Sequence, residues 1–450
     1  MRKTTEKQFI TMADLPPDPL DKAALEEYRA LGFSACILTE DRALFTKGGT
    51  LTQDYRAAIR NIRESGMSVF IRNMYNDADY FCNPADKQGS NYGSPYAIEK
   101  RNVTSELGKV GGFYMADEAY MRTQSDSAWR WAHRDRAQFA SFEKLEKLTL
   151  WKNEYYPEAY FHVNHVPSSS FDHYFPSGCE IVDYEDFLRS YVETVLKKLK
   201  GGGRSLCLDN YPFVREKVIG PDYLDDLLTG ATLTKQYNET ADEKNQADFG
   251  ICVQTFSAHH TDGSGWYRDI YSDSEITFQL FCGMALGATL FEYFCYRSLE
   301  QEGLHGILRA DGSHRLYDLV KRANARALPF EQTVCGFDFS GAFGSAGYER
   351  CDNAQAFIRA KRRLQKPKNI SFSSSHDALV GCFESKDEYG YMIVNYTDPS
   401  LNQSNNVRLA GAFDAVELVG EGGKKEKKAA SGIFETTLPA GSAVFVSYKK

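Results

Sequence analysis

The chain contains Gly111-Gly-Phe-Tyr-Met-Ala-Asp-Glu-Ala-Tyr120, an apolar run that ends abruptly in two adjacent carboxylates and an aromatic residue. Two acids at the end of a strand cost solvation free energy unless solvent, a partner or a ligand contacts them. In a (β/α)₈ barrel, the C-terminal ends of the strands are where catalytic side chains lie. The prediction of such a barrel then depends on whether strands and helices alternate along the rest of the chain.

Strand-like and helix-like patterns alternate from the N-terminus to about residue 330. Short runs rich in β-branched and aromatic residues predict eight strands, at 8–15, 34–41, 67–75, 112–117, 159–164, 205–208, 249–255 and 289–296. Amphipathic or capped stretches predict helices near 21–31, 52–65, 96–109, 125–148, 184–199, 222–233, 274–286 and 312–327. Such alternation indicates a parallel sheet, and eight units indicate its closure into a TIM barrel. An open doubly wound sheet is the alternative, but no GxGxxG motif follows the first strand.

The pattern changes at about residue 335, where short β-branched and aromatic runs are separated by turn and charge clusters. These runs, at 378–383, 391–396, 407–409, 415–418 and 442–448, predict a small antiparallel β-sandwich without helices. The basic run 424–428 is predicted to be a solvated hairpin tip. We therefore expect two domains, a catalytic barrel at residues 1–332 and a β-sandwich at residues 333–450.

Composition restricts the partners. The 450-residue chain carries a net charge of −8, which argues against binding to a nucleic-acid backbone. No apolar run is long enough to span a bilayer, so no membrane partner is expected. The N-terminus has no apolar signal region, and the ten cysteines form no CxxC pair. We therefore expect a cytoplasmic protein, or a secreted one if a signal peptide has been removed; a homo-oligomer is left open.

Polar residues follow or end the predicted strands. In chain order they are Asp14, Glu40 with Asp41, Arg72 with Asn76, Asp117 with Glu118, His162 with Asn164 and His165, Asp209 with Tyr211, Gln254, and Tyr296. The two histidines alone are not a metal site, and neither a GxSxG elbow nor a P-loop occurs, so we predict no metal and no cofactor. A ring of carboxylates, amides and aromatics suits a carbohydrate substrate. Glycoside hydrolysis needs two carboxyl groups, one protonated as an acid and one ionised.

Four segments resemble a known group of proteins. They are Asp117-Glu118, Asp209–Phe213, Phe291–Ser298 with Gly303–Gly306, and Arg309–Gly312 with Leu316–Lys321 and Asn324. Together they resemble the clan of glycoside hydrolases that includes the β-galactosidases of family 42, and related hydrolases, across residues 8–330 as architecture. The resemblance implies a TIM barrel and a carbohydrate substrate. It also implies a general acid/base glutamate at the end of strand four, where this chain has Glu118.

One position departs from the clan. The clan places its nucleophilic glutamate at the end of strand seven, where this chain has Gln254. A neutral amide can neither form a glycosyl ester nor deprotonate water. We therefore look for the second carboxyl group elsewhere: Asp209 is the first candidate, and Glu292, inside strand eight, is its rival. The alternatives are an Asp turn before Pro212 and a buried ion pair of Glu292 with an arginine.

The remaining polar residues are predicted to contact substrate or, alternatively, to make structural hydrogen bonds. They are Asp14, Arg72, Asn76, Asp117, His162, Asn164, Tyr211, Gln254, Trp266 and Tyr296. The sequence thus predicts a glycoside hydrolase with Glu118 as proton donor. A catalytically inactive, glycan-binding barrel is the alternative that Gln254 suggests. A lyase or isomerase is disfavoured because no metal-centred or lysine-centred site is evident.

Overall fold

The structure is a computed structural model. It describes residues 9–38, 52–72, 110–116, 142–169, 183–214, 219–258, 267–299, 303–308, 313, 316–423, 425–429 and 431–450. Within these ranges, no helix combines the length and the apolar character that crossing a membrane requires.

Eight strands of the first 300 residues form one sheet, as predicted. The strands up to residue 305 are β1 (Ile10–Ala13), β2 (Ala35–Leu38), β3 (Ser68–Arg72), β4 (Gly112–Ala116), β5 (Tyr160–His165), β6 (Ser205–Leu208), β7 (Asp248–Gln254), β8 (Ser257–Ala258), β9 (Ala288–Phe294) and β10 (Leu304–His305). The sheet order is β1-β9-β7-β6-β5-β4-β3-β2, and the two-residue strands β8 and β10 pair separately. This order, with helices between the strands, confirms the (β/α)₈ barrel.

The helices are α1 (Lys22–Ala30), α2 (Gln53–Glu64), α3 (Phe142–Tyr155), α4 (Tyr184–Thr194), α5 (Tyr223–Thr240), α6 (Asp273–Ala285), α7 (Tyr317–Val334) and α8 (Ala354–Ala360). Short 3₁₀ helices cover Leu196–Lys198, Glu243–Asn245 and Pro399–Leu401. The predicted caps of the first two helices are confirmed, because Asp21 accepts from Ala24 N and Thr52 accepts from Tyr55 N. The predicted helix at 96–109, and the part of the next one before residue 142, lie outside the described residues.

The chain forms two compact units. The N-terminal unit comprises Thr11–Asp209 and Gln236–Asp248, and the C-terminal unit comprises residues 1–10, Asn210–Lys235 and Phe249–Lys450. The predicted boundary between residues 332 and 333 stays a prediction.

Buried cations fix the N-terminal ends of β5 and β6 in the N-terminal unit. Lys152 Nζ donates to the carbonyl oxygens of Pro157 at 2.6 Å and Gly201 at 2.7 Å. The fully buried Arg204 donates to the carbonyl of Leu199 at 2.8 Å. Gly202 has a φ of +63°, and a Cβ there would lie 2.3 Å from the Ala159 carbonyl oxygen, so this turn requires glycine. These contacts fix the start of β5, which carries His162, and of β6, which Asp209 directly follows.

Antiparallel β-structure makes up the end of the C-terminal unit. Its strands are β11 (Asp338–Ser345), β12 (Ile370–Ser374), β13 (Ala378–Glu384), β14 (Glu388–Asn395), β15 (Asn405–Gly411), β16 (Ala415–Val419), β17 (Lys425–Ala429), β18 (Ile433–Leu438) and β19 (Ala443–Lys449). They form a six-stranded sheet in the order β11-β13-β14-β19-β16-β17 and a three-stranded sheet in the order β12-β15-β18. A core of buried side chains that includes Val380, Ile393, Leu409 and Val446 packs between them. The predicted β-rich C-terminal region is confirmed.

Two details of this region differ from the prediction. The short helix α8 lies among the strands, where no helix was expected, because its seven residues are too few to show a helical period. The basic segment is not a hairpin tip but the edge strand β17, which pairs with β16 and is exposed throughout. Lysines on such an edge discourage pairing with another chain.

Candidate active site

The predicted site residues fall into both units, and some lie outside the described residues. Those outside are Asn76, Asp117, Glu118 and Trp266. The N-terminal unit holds Asp14, Arg72, His162, Asn164 and Asp209, and the C-terminal unit holds Tyr211, Gln254, Glu292 and Tyr296. Each group has its own geometry.

An ion pair joins the ends of two strands in the N-terminal unit. Asp14 directly follows β1, and Arg72 is the last residue of β3; the Arg72 guanidinium binds the Asp14 carboxylate. Both residues are buried. The guanidinium also lies over the Tyr114 ring, 4.6 Å from its centroid. A buried charge pair with this second contact holds the Arg72 side chain in one orientation.

The contacts continue across the next strands. The Tyr114 and His162 rings meet edge to face at 4.6 Å, and His162 Nδ1 lies 2.8 Å from the Ser205 hydroxyl. Side chains alternate along a strand, so His162 and Asn164 share one face of β5. The structure therefore brings Asp14, Arg72 and His162 together through a row of buried contacts.

His165 lies on the opposite face of β5. Its ring packs against Tyr191 on α4 at 4.3 Å and is fully buried. Burial, with a smaller effect of nearby His162, lowers the pKa of His165 to about 3. This histidine therefore stabilises the packing between strand and helix in its neutral form.

Acid should unfold the protein partly through His165. An unfolded histidine has a pKa of about 6.5, so between about pH 6 and pH 4 only the unfolded chain binds this proton. The contribution is fully present above pH 6.5 and falls by about 1.4 kcal/mol per pH unit below it. Urea denaturation at pH 7, 6 and 5 should show a smaller loss of unfolding free energy for His165→Phe than for the parent. Equal slopes for the two proteins would contradict this assignment.

Asp209 directly follows β6 and is half-buried. Its backbone N–H donates to the His165 carbonyl at 2.8 Å, which extends the pairing of β5 and β6 by one residue. Ser205, Cys207 and Asp209 alternate onto one side of the strand, and Ser205 contacts His162 on that side. Asp209 is thus placed on the same strand face as the buried polar row.

A β-bulge precedes the Asp117-Glu118 pair. Tyr114 pairs with His162 but Ala116 pairs with Val163, so Met115 is an extra residue in β4. Simple alternation therefore cannot be extended from β4 to the two carboxylates. Bulges of this kind are frequent next to active sites, where they redirect side chains.

Gln254, at the end of β7, connects two loops of the C-terminal unit. Its side chain is fully buried, with Oε1 accepting from Phe213 N at 3.2 Å and Nε2 donating to the Arg268 carbonyl at 3.1 Å. The amide thus makes two structural hydrogen bonds at the end of β7, where the resemblance implies a carboxylate. This is the structural alternative that the sequence left open; contact of Gln254 with substrate stays a prediction.

Glu292 is buried within β9, two residues before the strand ends. It pairs in register with Cys252, whose thiol donates to Glu292 Oε2 at 3.6 Å. The next side chain, Tyr293, points the other way and donates to Asn324 on α7 at 2.5 Å. Glu292 is therefore less accessible than the half-buried Asp209.

The structure adds aromatic residues that the sequence analysis did not single out. Tyr211 lies among Phe256, Tyr267 and Phe294, at centroid distances of 4.9, 5.4 and 6.4 Å. The predicted contact residue Tyr296 is buried. Phe294 could have been found from the sequence, because it lies two residues after Glu292 and so on the same strand face. Nothing in the sequence indicated that the segments after β6 and β7 bring Tyr211 and Tyr267 together.

Comparisons with known proteins support the fold. No protein-family model and no curated protein matches the sequence. One similar structure is that of a catalytic mutant of Gan42B, a GH42 β-galactosidase from G. stearothermophilus. Its TM-score is 0.52 at 9% sequence identity, and the match covers 100% of this chain and 99% of that chain. Another Gan42B structure gives a TM-score of 0.54 at 9% identity and the same coverage. A β-galactosidase from Bacillus circulans sp. alkalophilus gives 0.47 at 9% identity, covering 99% of this chain and 100% of that chain. The two Gan42B structures, with TM-scores above 0.5, confirm the fold that the resemblance implied.

Proposed function

We propose that the protein is a glycoside hydrolase that cleaves an O-glycosyl bond of a carbohydrate substrate. Glu118 is the general acid, and Asp209 is the nucleophile or base. The observation that carries the proposal is the place of Asp209: half-buried, directly after β6, on the strand face that Ser205 and His162 share. Side chains at this end of a barrel strand are those that typically carry out catalysis.

The chemistry divides between the two carboxyl groups. The protonated acid donates to the glycosidic oxygen as the bond to the anomeric carbon breaks, and the ionised group attacks that carbon or deprotonates a water molecule. In this proposal the Arg72 side chain, fixed by Asp14 and Tyr114, and the polar atoms of His162 and Asn164 bind sugar hydroxyls. Tyr211 and Tyr296 remain further predicted contacts with the carbohydrate. The reaction needs neither a metal nor a cofactor.

The second candidate function is a glycan-binding barrel without turnover. Gln254 favours it, because both polar atoms of its amide are used in structural hydrogen bonds at the clan's nucleophile position. In this case the protein has the fold of a glycoside hydrolase and binds a sugar, but it lacks the second catalytic carboxylate.

A substrate screen separates the two functions. Purified protein is incubated with aryl glycosides and oligosaccharides, β-galactosides first, and the release of reducing sugar or nitrophenol is measured. Turnover of at least one glycoside is expected, and NMR of the first-released anomer then distinguishes retention from inversion. Saturable binding of a sugar with no release across the panel would favour the binding protein and contradict the hydrolase.

A further inference from the structure

Two loops of the C-terminal unit are paired along their backbones. Val214, in the segment after β6, forms an antiparallel bridge with Tyr267, in the segment after β7. Arg268 N donates to the Phe213 carbonyl at 3.2 Å. The side-chain amide of Gln254 forms hydrogen bonds to both segments. Residues 213–214 and 267–268 are therefore fixed to each other.

The Arg268 side chain attaches these paired residues to their surroundings. Its guanidinium lies over the Phe213 ring at 4.4 Å, and it forms ion pairs with Glu275 on α6 and with Asp398, the latter at 2.7 Å. Glu275 also accepts from the backbone N–H of Tyr271 at 2.7 Å. The carboxylates of Glu275 and Asp398 are almost fully buried. An ion pair this buried restrains its partners far more than a surface pair does.

Asp398 belongs to the antiparallel region of the chain, 130 residues away from Arg268. Its carboxylate also accepts from Ser400 N at 2.8 Å, at the start of the 3₁₀ helix Pro399–Leu401. Arg268 thus connects the loop after β7 to a fixed turn of the β-structure. Through this ion pair the β-structure restrains the position of Arg268 in the loop.

Tyr211 and Tyr267 are the side chains that this arrangement orients. Their rings are perpendicular, with centroids 5.4 Å apart, and both are half-buried. Phe256, which is buried, packs edge-on against each of them, at 4.9 and 5.4 Å. Two tyrosines fixed by a buried ring offer aromatic faces and phenol hydroxyls at low entropic cost, a combination that suits the apolar face and the hydroxyls of a sugar ring.

We propose that Tyr211 and Tyr267 together bind a sugar ring of the substrate and that Arg268, held by Asp398, is their positioning residue. The inference rests on the proposed function, because it assigns part of the substrate contact to this pair. Tyr267, Arg268 and Asp398 have no role in the carboxylate chemistry itself. Substitutions that remove the contacts of these three side chains should therefore raise KM more than they lower kcat.

The tyrosine pair is tested with Tyr267→Ala. We expect KM for the best glycoside of the screen to rise about fivefold or more, with kcat changed less than twofold, and Tyr267→Phe to restore most of the affinity. Tyr271→Ala is the matched control, since Tyr271 lies in the same loop but is 72% exposed. A KM unchanged in Tyr267→Ala, or raised equally in Tyr271→Ala, would overturn the assignment.

The positioning role is tested with Asp398→Asn. We expect KM to rise and the backbone amides of residues 267–272 to exchange hydrogen faster with solvent. Glu421→Gln is the control, because it breaks another ion pair of the same unit, Arg326–Glu421 at 2.6 Å, and leaves the contact of Arg326 with Asp273, the first residue after the loop, in place. It should lower Tm without changing KM or the exchange of the loop. If Asp398→Asn lowered Tm but left KM and exchange at the control's values, Arg268 would be merely structural.

The outcomes separate this inference from the proposed function. Hydrogen exchange of residues 267–272 is measured without substrate, so it tests the role of Asp398 even if no glycoside is hydrolysed. Absence of both turnover and binding for every glycoside of the screen would remove the hydrolase and the sugar-binding tyrosines together. Turnover that depends on Glu118 but not on Tyr267 would remove the tyrosine pair alone.

Discussion

Glu118→Gln is expected to lower kcat on oligosaccharides by about 10²–10⁴, because the amide cannot donate a proton to the departing sugar oxygen. The side chain keeps its size and its capacity for hydrogen bonds, so the fold and KM should change little. Initial rates with the substrate found in the screen, measured beside circular dichroism and Tm, check both statements.

A matched control distinguishes loss of the acid from loss of one surface charge. Glu154 is an exposed glutamate on α3, and Glu154→Gln should retain the parental rate. If Glu118→Gln and Glu154→Gln were equally active on a substrate with a poor leaving group, Glu118 would not be the proton donor. If Glu118→Gln failed to fold, Glu118→Asp would replace it, since it keeps the acid but withdraws the carboxyl group by one methylene.

Asp209→Asn is expected to cause the second large loss, about 10³-fold in kcat, equivalent to about 4 kcal/mol of transition-state stabilisation. The neutral amide can neither attack the anomeric carbon nor deprotonate water. The hydrogen bond from the backbone N–H of residue 209 to the His165 carbonyl is kept in the variant. Steady-state rates on an aryl glycoside measure the loss.

Glu292→Gln decides between the two carboxylate candidates. Glu292 is buried, and the amide oxygen of a glutamine can accept the hydrogen bond from the Cys252 thiol as the carboxylate does. We therefore expect this variant to retain activity within about tenfold of the parent, a difference of about 1.4 kcal/mol. An inactive Glu292→Gln beside an active Asp209→Asn would exchange the two assignments and leave the glycosidase proposal standing.

The barrel strands could be predicted from the sequence because their signal is local. The short apolar run of β6 and the glycine-opened run of β4 were located to within one residue of the bounds that the structure gives. A buried parallel strand reads as a continuous apolar segment, and this pattern survives without knowledge of its neighbours. Helix α5, in contrast, extends seven residues beyond its predicted end at residue 233, since no glycine or proline marks where it stops.

Several strands of the C-terminal region were not predicted, because their own residues carry little strand signal. β11 has glycine at two of its eight positions, and β12 has three serines among five residues. Such segments have low intrinsic β-propensity and become strands because a neighbour supplies hydrogen bonds and packing. β13 and β15 supply them here.

Candidate site residues could be named from the sequence because polar residues at strand ends are visible there. The contacts that join Asp14, Arg72, Tyr114 and His162 could not be predicted, because β1 and β3 are not neighbours in the sheet order and Tyr114 lies inside an apolar run. The bulge at Met115 and the ion pair between Arg268 and Asp398 could not be predicted, because both depend on backbone register or on contacts across 130 residues.

The dependence of hydrolysis on the leaving group tests the central assignment most directly. The measurement compares kcat/KM of the parent and of Glu118→Gln on two glycosides of one sugar, a 2,4-dinitrophenyl glycoside and an alkyl glycoside. A dinitrophenolate departs without protonation, so the variant should stay within about tenfold of the parent on the first and fall by about 10² or more on the second. An equal loss on both substrates, or no loss on either, would contradict the role of Glu118 as general acid.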